Sequence, residues 1–307
     1  MAEPIPMTWR QLTSRLVLFV AVTAVLDVTM GETLAALVRR VRRGGAVGVV
    51  NSSIAAEAGA VILGSSRASH GYDDEALTEL LGVRVRNAGL DGRGILYARG
   101  LLDLIIARHA PQLVVLDVTY FEGERANAQV LAPYYGRSQK LDAILIDGDW
   151  RERVKLVSHS FRMNSAVLPI LGNLGASAPL WGFVPLHGQL DLSEPINVRL
   201  TVPPPPAYVE DNLADLVADV RRSGAEIVFV ESPSWGSRLS ANVRKMYARV
   251  AENGDVPFIH ILTAETAGFD ASLFHDRAHL NAKGAKVFTR LVAGRLLHVL
   301  REGWRKR

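Results

Sequence analysis

The sequence predicts an α/β fold of three layers, α/β/α, with about five parallel strands and an N-terminal apolar helix in front of them. Three observations carry this. Short apolar runs of four to seven residues recur along the chain, each isolated between segments with helical apolar periodicity. The runs are apolar almost throughout, as strands covered on both faces are, instead of alternating with polar residues. Lone buried strands separated by amphipathic helices build βαβ units, and these give a parallel sheet.

The elements follow in chain order. "LVLFVAVTAVL" (16–26) is apolar throughout and follows Arg10 and Arg15. Extended through Asp27, Thr29 and Glu32 to Val38, it is long enough to span a bilayer. A cleaved signal or an amphipathic surface helix are the alternatives, although no A-x-A cleavage site follows. Residues 1–44 are therefore expected to form a membrane anchor with a basic flank, "RRVRR" (39–43), and residues 45–307 one catalytic domain. Strands are expected at "AVILG" (60–64), "VRVRNAG" (83–89), "LVVLDV" (113–118), "EIVFVES" (226–232) and "PFIHI" (257–261). Helices are expected at "DEALTELLG", at "LYARGLLDLIIARHAP", at "VEDNLADLVADVRRSG" and at the C-terminal "AKGAKVFTRLVAGRLLHVLREGW". The stretch from about 121 to 206 breaks the alternation, with one helix-like segment near 150–161. An insertion of that length is expected to wall or cover a site rather than to fill the core.

Composition narrows the function. Of 307 residues, 49% are hydrophobic, enough for a sizeable core. The net charge of +4 has no basic block beyond 39–43, which argues against nucleic acid as a partner. Cysteine is absent, excluding disulfides, thiolate zinc sites and cysteine nucleophiles.

Ligands collect at the carboxyl ends of strands in an open parallel sheet. "GSSRASHG" follows the first strand, "NAGLDG" the second and "DVTYFEG" the third, while "FHDRAHLN" precedes the last helix. Asp276 and His279, three residues apart, can point at one site. A carboxylate orienting an imidazole that deprotonates a hydroxyl is the logic of serine hydrolases, and Ser65 or Ser66 would supply the hydroxyl. Helix N-capping explains the same serines equally well. His275, Asp276 and His279 do not read as a metal site, because adjacent positions on a turn diverge. No cofactor is expected. His70 reads as a loop or entrance residue, and Tyr134, Tyr135, Trp181 and Phe183 either stack on sugar rings or pack the insertion.

"GSSR", "NAGLDG" and "DRAHLN" resemble blocks I, II and V of the SGNH (GDSL-like) hydrolase superfamily. More narrowly, they are similar to its membrane-anchored bacterial branch, in which G-S-S stands for G-D-S. The resemblance covers roughly 59–292, with 122–206 unmatched. It implies Ser66 as nucleophile, His279 as base and Asp276 as its orienter, with Ser65 left as a turn residue. The amides of Ser66 and Gly92 would form the oxyanion hole. Block III departs from the family pattern: the usual asparagine is missing from Asp117-Val118-Thr119, and Thr119 is the candidate third donor. Arg67 and Asn87 are candidate substrate-binding residues, each with a structural alternative. The resemblance further implies an esterase or O-acyltransferase acting on acyl esters of cell-envelope polysaccharide or on a small ester. The domain would lie on the periplasmic or outer side of a bacterial inner membrane, with partner proteins of an acylation system. A non-catalytic scaffold that binds polysaccharide is the alternative.

Overall fold

The computed structural model describes residues 8–42, 45–118, 128–146, 148–173, 182–193, 204–235, 240–261 and 269–305. Thr119 and Trp181 lie outside them. Five strands, β1 (Ala60–Leu63), β2 (Val85–Asn87), β3 (Leu113–Asp117), β4 (Glu226–Glu231) and β5 (Phe258–His260), pair in parallel in the order β2-β1-β3-β4-β5. Val61 lies opposite both Arg86 and Val114, and Val115 opposite Val228. The expected five-stranded parallel sheet is present, in the flavodoxin-like order. Because the chain leaves β1 first toward β2 and then returns to β3, the order reverses at β1, the point where such sheets hold ligands.

Strand side chains alternate between two cores. Val61, Leu63, Val114, Leu116, Ile227 and Phe229 face one. It is covered by α2 (Gly45–Ala55), α5 (Ile95–Ile106), α10 (Ala207–Arg222) and α11 (Ala241–Asn253). Ala60, Ile62, Leu113, Val115, Val228 and Val230 face the other, under α3 (Ser66–Gly71), α4 (Asp74–Leu81) and α12 (Ala282–Arg305). These are the three layers the sequence predicts.

Local chemistry sets the helix ends. Asp73 caps α4 by accepting from the Ala76 amide at 3.1 Å, and Gly82 closes it at φ +68°. Val209, Leu213, Leu216, Val217 and Val220 form the buried face of α10, and Arg221 and Arg222 sit in its last turn, where the helix dipole favours cations.

The insertion corrects one expectation. Its first part is core, not wall: a 3₁₀ turn (Gln129–Tyr134) and α6 (Gln139–Ile146) bury Leu131, Leu141, Ile144 and Leu145 against α5. The next part, α7 (Trp150–Val157), α8 (His159–Arg162) and α9 (Val167–Asn173), reaches α1 (Trp9–Val38). A small third core joins them through Ala35, Val38, Val47, Met163, Ala166 and Ile170. Among the described residues α1 is the one helix long and apolar enough to cross a membrane, and its apolar stretch is exposed. The neighbouring α2 has no counterpart in the sequence expectations.

Candidate active site

β1 runs straight into Gly64, whose φ of +152° favours glycine. A Cβ there would stand 2.8 Å from the Ala68 Cβ and 3.0 Å from the Asp117 Cβ, so nothing larger fits where α3 folds back on the sheet. Ser65 is fully buried, and its carbonyl accepts from the Ser69 amide at 2.9 Å. Ser66, partly exposed, opens α3. The two serines thus separate: one shapes the turn and the next is presented at its surface.

Across the site, Asp276 and His279 lie on the loop before α12. The Asp276 carboxylate accepts from the Ala278 amide at 2.7 Å and the His279 amide at 2.9 Å, a tight local turn. It also meets the His279 Nδ1 at 2.8 Å and 2.9 Å from its two oxygens. The His279 Nε2 lies 2.7 Å from the Ser66 Oγ, 213 positions away in sequence. Burial pushes the Asp276 carboxyl up, but the hydrogen bonds from the His279 ring and the two amides outweigh it and hold the group at about 2. An ionised carboxylate only accepts, so the proton of a neutral imidazole sits on Nδ1. Nε2 is then left to accept from the serine hydroxyl.

Gly92 lies in the loop between β2 and α5, at φ +67°. That loop is fastened to the turn that carries the serine: the Leu90 amide donates to the Gly64 carbonyl at 3.1 Å, and Asp91 approaches the His70 Nε2 at 3.2 Å.

Arg67 and Asn87 do not face the site as the sequence analysis allows. Arg67 donates to the Ser232 Oγ at 3.0 Å and to the Ser232 carbonyl, tying α3 to the end of β4. Asn87 is fully buried. It donates to the carbonyls of Ala68 at 2.7 Å and Tyr72 at 2.8 Å, and accepts from the Gly89 amide at 3.0 Å. Both hold backbone, with no group left over for a ligand in the case of Asn87. Tyr134 is likewise not a sugar platform: it is buried, and its hydroxyl donates to the Asn51 Oδ1 at 2.6 Å. Tyr135 packs on the core under the Arg162 guanidinium, 4.9 Å above its ring. His275 meets the His187 carbonyl at 2.6 Å.

Sequence reasoning misses two parts of this site. His70 is not a solvated loop residue but buried, its ring edge-on to that of His279 at 5.7 Å between centroids. Burial lowers its affinity for a proton, yet Asp91, the Val184 carbonyl at 2.7 Å from Nδ1 and the field of Asp276 together raise it. With an acceptor at each ring nitrogen, the fitting form is the cation.

The second is a strap of residues 182–190. The Gly182 amide donates to the buried Asp74 carboxylate at 2.7 Å, and the Val184 amide to the Ser69 carbonyl at 3.0 Å. Further along, the Leu190 amide donates to the Phe274 carbonyl at 2.8 Å, and the Leu186 carbonyl accepts from the Ala282 amide at 2.8 Å. Asn281 donates to the Gly188 carbonyl at 3.0 Å and caps α12 by accepting from the Gly284 amide at 3.0 Å. One strand of backbone thus bridges the serine-bearing helix and the histidine-bearing loop. The strap's own sequence, "GFVPLHGQL", is neither periodic nor charged, but Asn281 before the last helix is a capping signal legible in the sequence.

No family model matches this sequence, and no curated protein does. Among solved structures, a GDSL-like lipase of Bacteroides thetaiotaomicron is 9% identical over 78% of this chain and 88% of its own, with a TM-score of 0.37. An acetylxylan esterase of Geobacillus stearothermophilus is 15% identical over 75% of this chain and 90% of its own, with a TM-score of 0.38. The chemistry of the site rests on its own geometry.

Proposed function

We propose that this chain is an SGNH-type serine hydrolase whose catalytic groups are Ser66, His279 and Asp276, acting as an esterase or O-acyltransferase. The observation that carries the reading is the unbroken chain from the Ser66 Oγ to the His279 Nε2, 2.7 Å, and from the Nδ1 to Asp276, 2.8 Å. In this reading Ser66 attacks the acyl carbonyl while Nε2 takes its proton, and Asp276 stabilises the imidazolium that forms. The same proton then goes to the leaving alkoxide. The amides of Ser66 and Gly92 face the developing oxyanion, with Thr119 as a third donor. Water or a sugar hydroxyl completes the cycle, activated by His279 in its turn.

Acyl esters of cell-envelope polysaccharide as substrate, and a domain on the periplasmic side of an inner membrane anchored by α1, follow from the likeness of "GSSR", "NAGLDG" and "DRAHLN" to the anchored branch of that superfamily. Replacing Ser66 by Ala is expected to lower turnover of p-nitrophenyl acetate by about 10³-fold or more with an unchanged circular dichroism spectrum. The wild-type chain is expected to be labelled by a fluorophosphonate at Ser66 alone. Unlabelled wild-type protein would leave the non-catalytic polysaccharide scaffold as the better reading.

A further inference from the structure

The packing of the insertion on α1 says where it sits relative to the bilayer, given that α1 crosses one as proposed above. Asp27, inside the apolar helix, is not left bare. Its carboxylate accepts from the Ser158 hydroxyl at 2.6 Å, the His159 amide at 2.8 Å and the Ser160 amide at 3.1 Å. At Gly31 the two elements nearly touch: a Cβ there would fall 2.3 Å from the Cβ of His159. Glu32 meets the same histidine at 3.0 Å. From Trp9 to Asp27 the helix rises about 27 Å at 1.5 Å per residue, with Arg10 and Arg15 close enough to its start for their long side chains to reach back to the headgroups. A hydrocarbon core is about 30 Å thick. The clamp on Asp27 therefore holds α7 and α8 at one edge of that core.

At this level the insertion exposes large apolar side chains that its own fold does not cover. Trp150 is 68% exposed, Val154 59%, Val157 66% and Phe161 41%, at spacings of four, three and four, while Leu156 between them is fully buried. Leu168 is 80% exposed and Leu171 68%, whereas Ala166 and Ile170 of the same segment face the third core. Around them lie four cations, Arg151, Arg153, Lys155 and Arg162, against two carboxylates, Asp149 and Glu152. The Arg151 guanidinium sits over the Trp150 ring at 6.0 Å. An apolar stripe edged by cations, with a tryptophan at its end, suits the boundary between acyl chains and anionic headgroups.

We propose that residues 150–173 rest in the headgroup boundary of the bilayer that α1 crosses, with Trp150, Val154, Val157, Phe161, Leu168 and Leu171 in contact with lipid. The occupant of this surface is the membrane, because α8 and α9, which carry Phe161, Leu168 and Leu171, pack against the apolar helix α1, and the surface carries the charge that anionic lipid attracts.

The absence of cysteine allows a clean test on the full-length chain. Single cysteines at Leu18, Val154, Leu168 and, as a control, Leu80 on α4 are labelled with an environment-sensitive fluorophore. The proteins are then placed in phosphatidylethanolamine–phosphatidylglycerol vesicles carrying nitroxide lipids, either shallow or deep. Expected is loss of emission at 154 and 168 with the shallow quencher more than with the deep one, loss at 18 mainly with the deep one, and none at 80. Quenching at 18 while 154 and 168 behave like 80 overturns the docking and leaves the anchor standing; it would point to a protein as the occupant. No quenching at 18 overturns the anchor and the docking with it.

Discussion

Asp276 does two tasks with one carboxylate, closing the turn before α12 and orienting His279. Asp276→Asn keeps the turn acceptor but can no longer fix the proton on Nδ1, so turnover is expected to fall about 10³–10⁴-fold in steady-state assays with little change in KM. The group also carries a pH signature. Its folded value, about 2, lies below the ordinary 3.8, so the ionised form favours the native state above pH 3.8 and that support fades as pH falls from 3.8 towards 2. Thermal melts across this window are expected to show a shallower acid limb for Asp276→Asn than for the wild type. At this scale the sequence is informative about chemistry and poor about service residues. Ser66, Asp276 and His279 stand out because their residue types and order define a reaction, and the fold brings them together. Arg67, on α3, and Asn87, at the end of β2, belong to the same sequence blocks, but their side chains are engaged by Ser232 and by backbone carbonyls. Only packing, which sequence spacing does not encode, reveals that. His70 is hidden for the same reason, since its partners are Asp91, 21 residues on, and Val184, 114 residues on.

Among the elements, the strands and flanking helices are legible because burial on two faces and amphipathic periodicity leave plain patterns. The insertion is not, because three different duties share one stretch: core filling by α6, contact with α1 by α8 and α9, and bridging by the strap. The strap has no pattern at all, since backbone groups make its bonds. Its fit depends on Gly182, where a Cβ would stand 1.8 Å from the Asn87 carbonyl oxygen. Gly182→Ala is expected to push the strap off α3, lowering stability by about 1–3 kcal/mol in chemical denaturation and reducing turnover. A variant that melts and turns over like the wild type would show that the strap does not hold the two catalytic loops in register.

For the whole molecule, the decisive feature is that α1 is not a loose leader. Ala35 and Val38 share a core with Met163, Ala166 and Ile170, and Asn51 of α2 donates to the carbonyls of Val38 at 2.6 Å and Val41 at 2.8 Å. Intact-mass measurement of the protein from its native host is therefore expected to find α1 still attached, and alkaline carbonate washing of that host's membranes is expected to leave the protein in the membrane fraction.

The clamp on Asp27 carries a practical consequence. Trimming the chain at residue 45 to obtain a detergent-free preparation strips the hydrogen-bond acceptor from Ser158 and Ser160 and bares four apolar side chains, Val47, Met163, Ala166 and Ile170. A preparation made that way should aggregate even though every group of its reaction centre is intact. In this protein α1 is one of the walls, and solubility has to be sought by repainting its outer face, not by cutting it away.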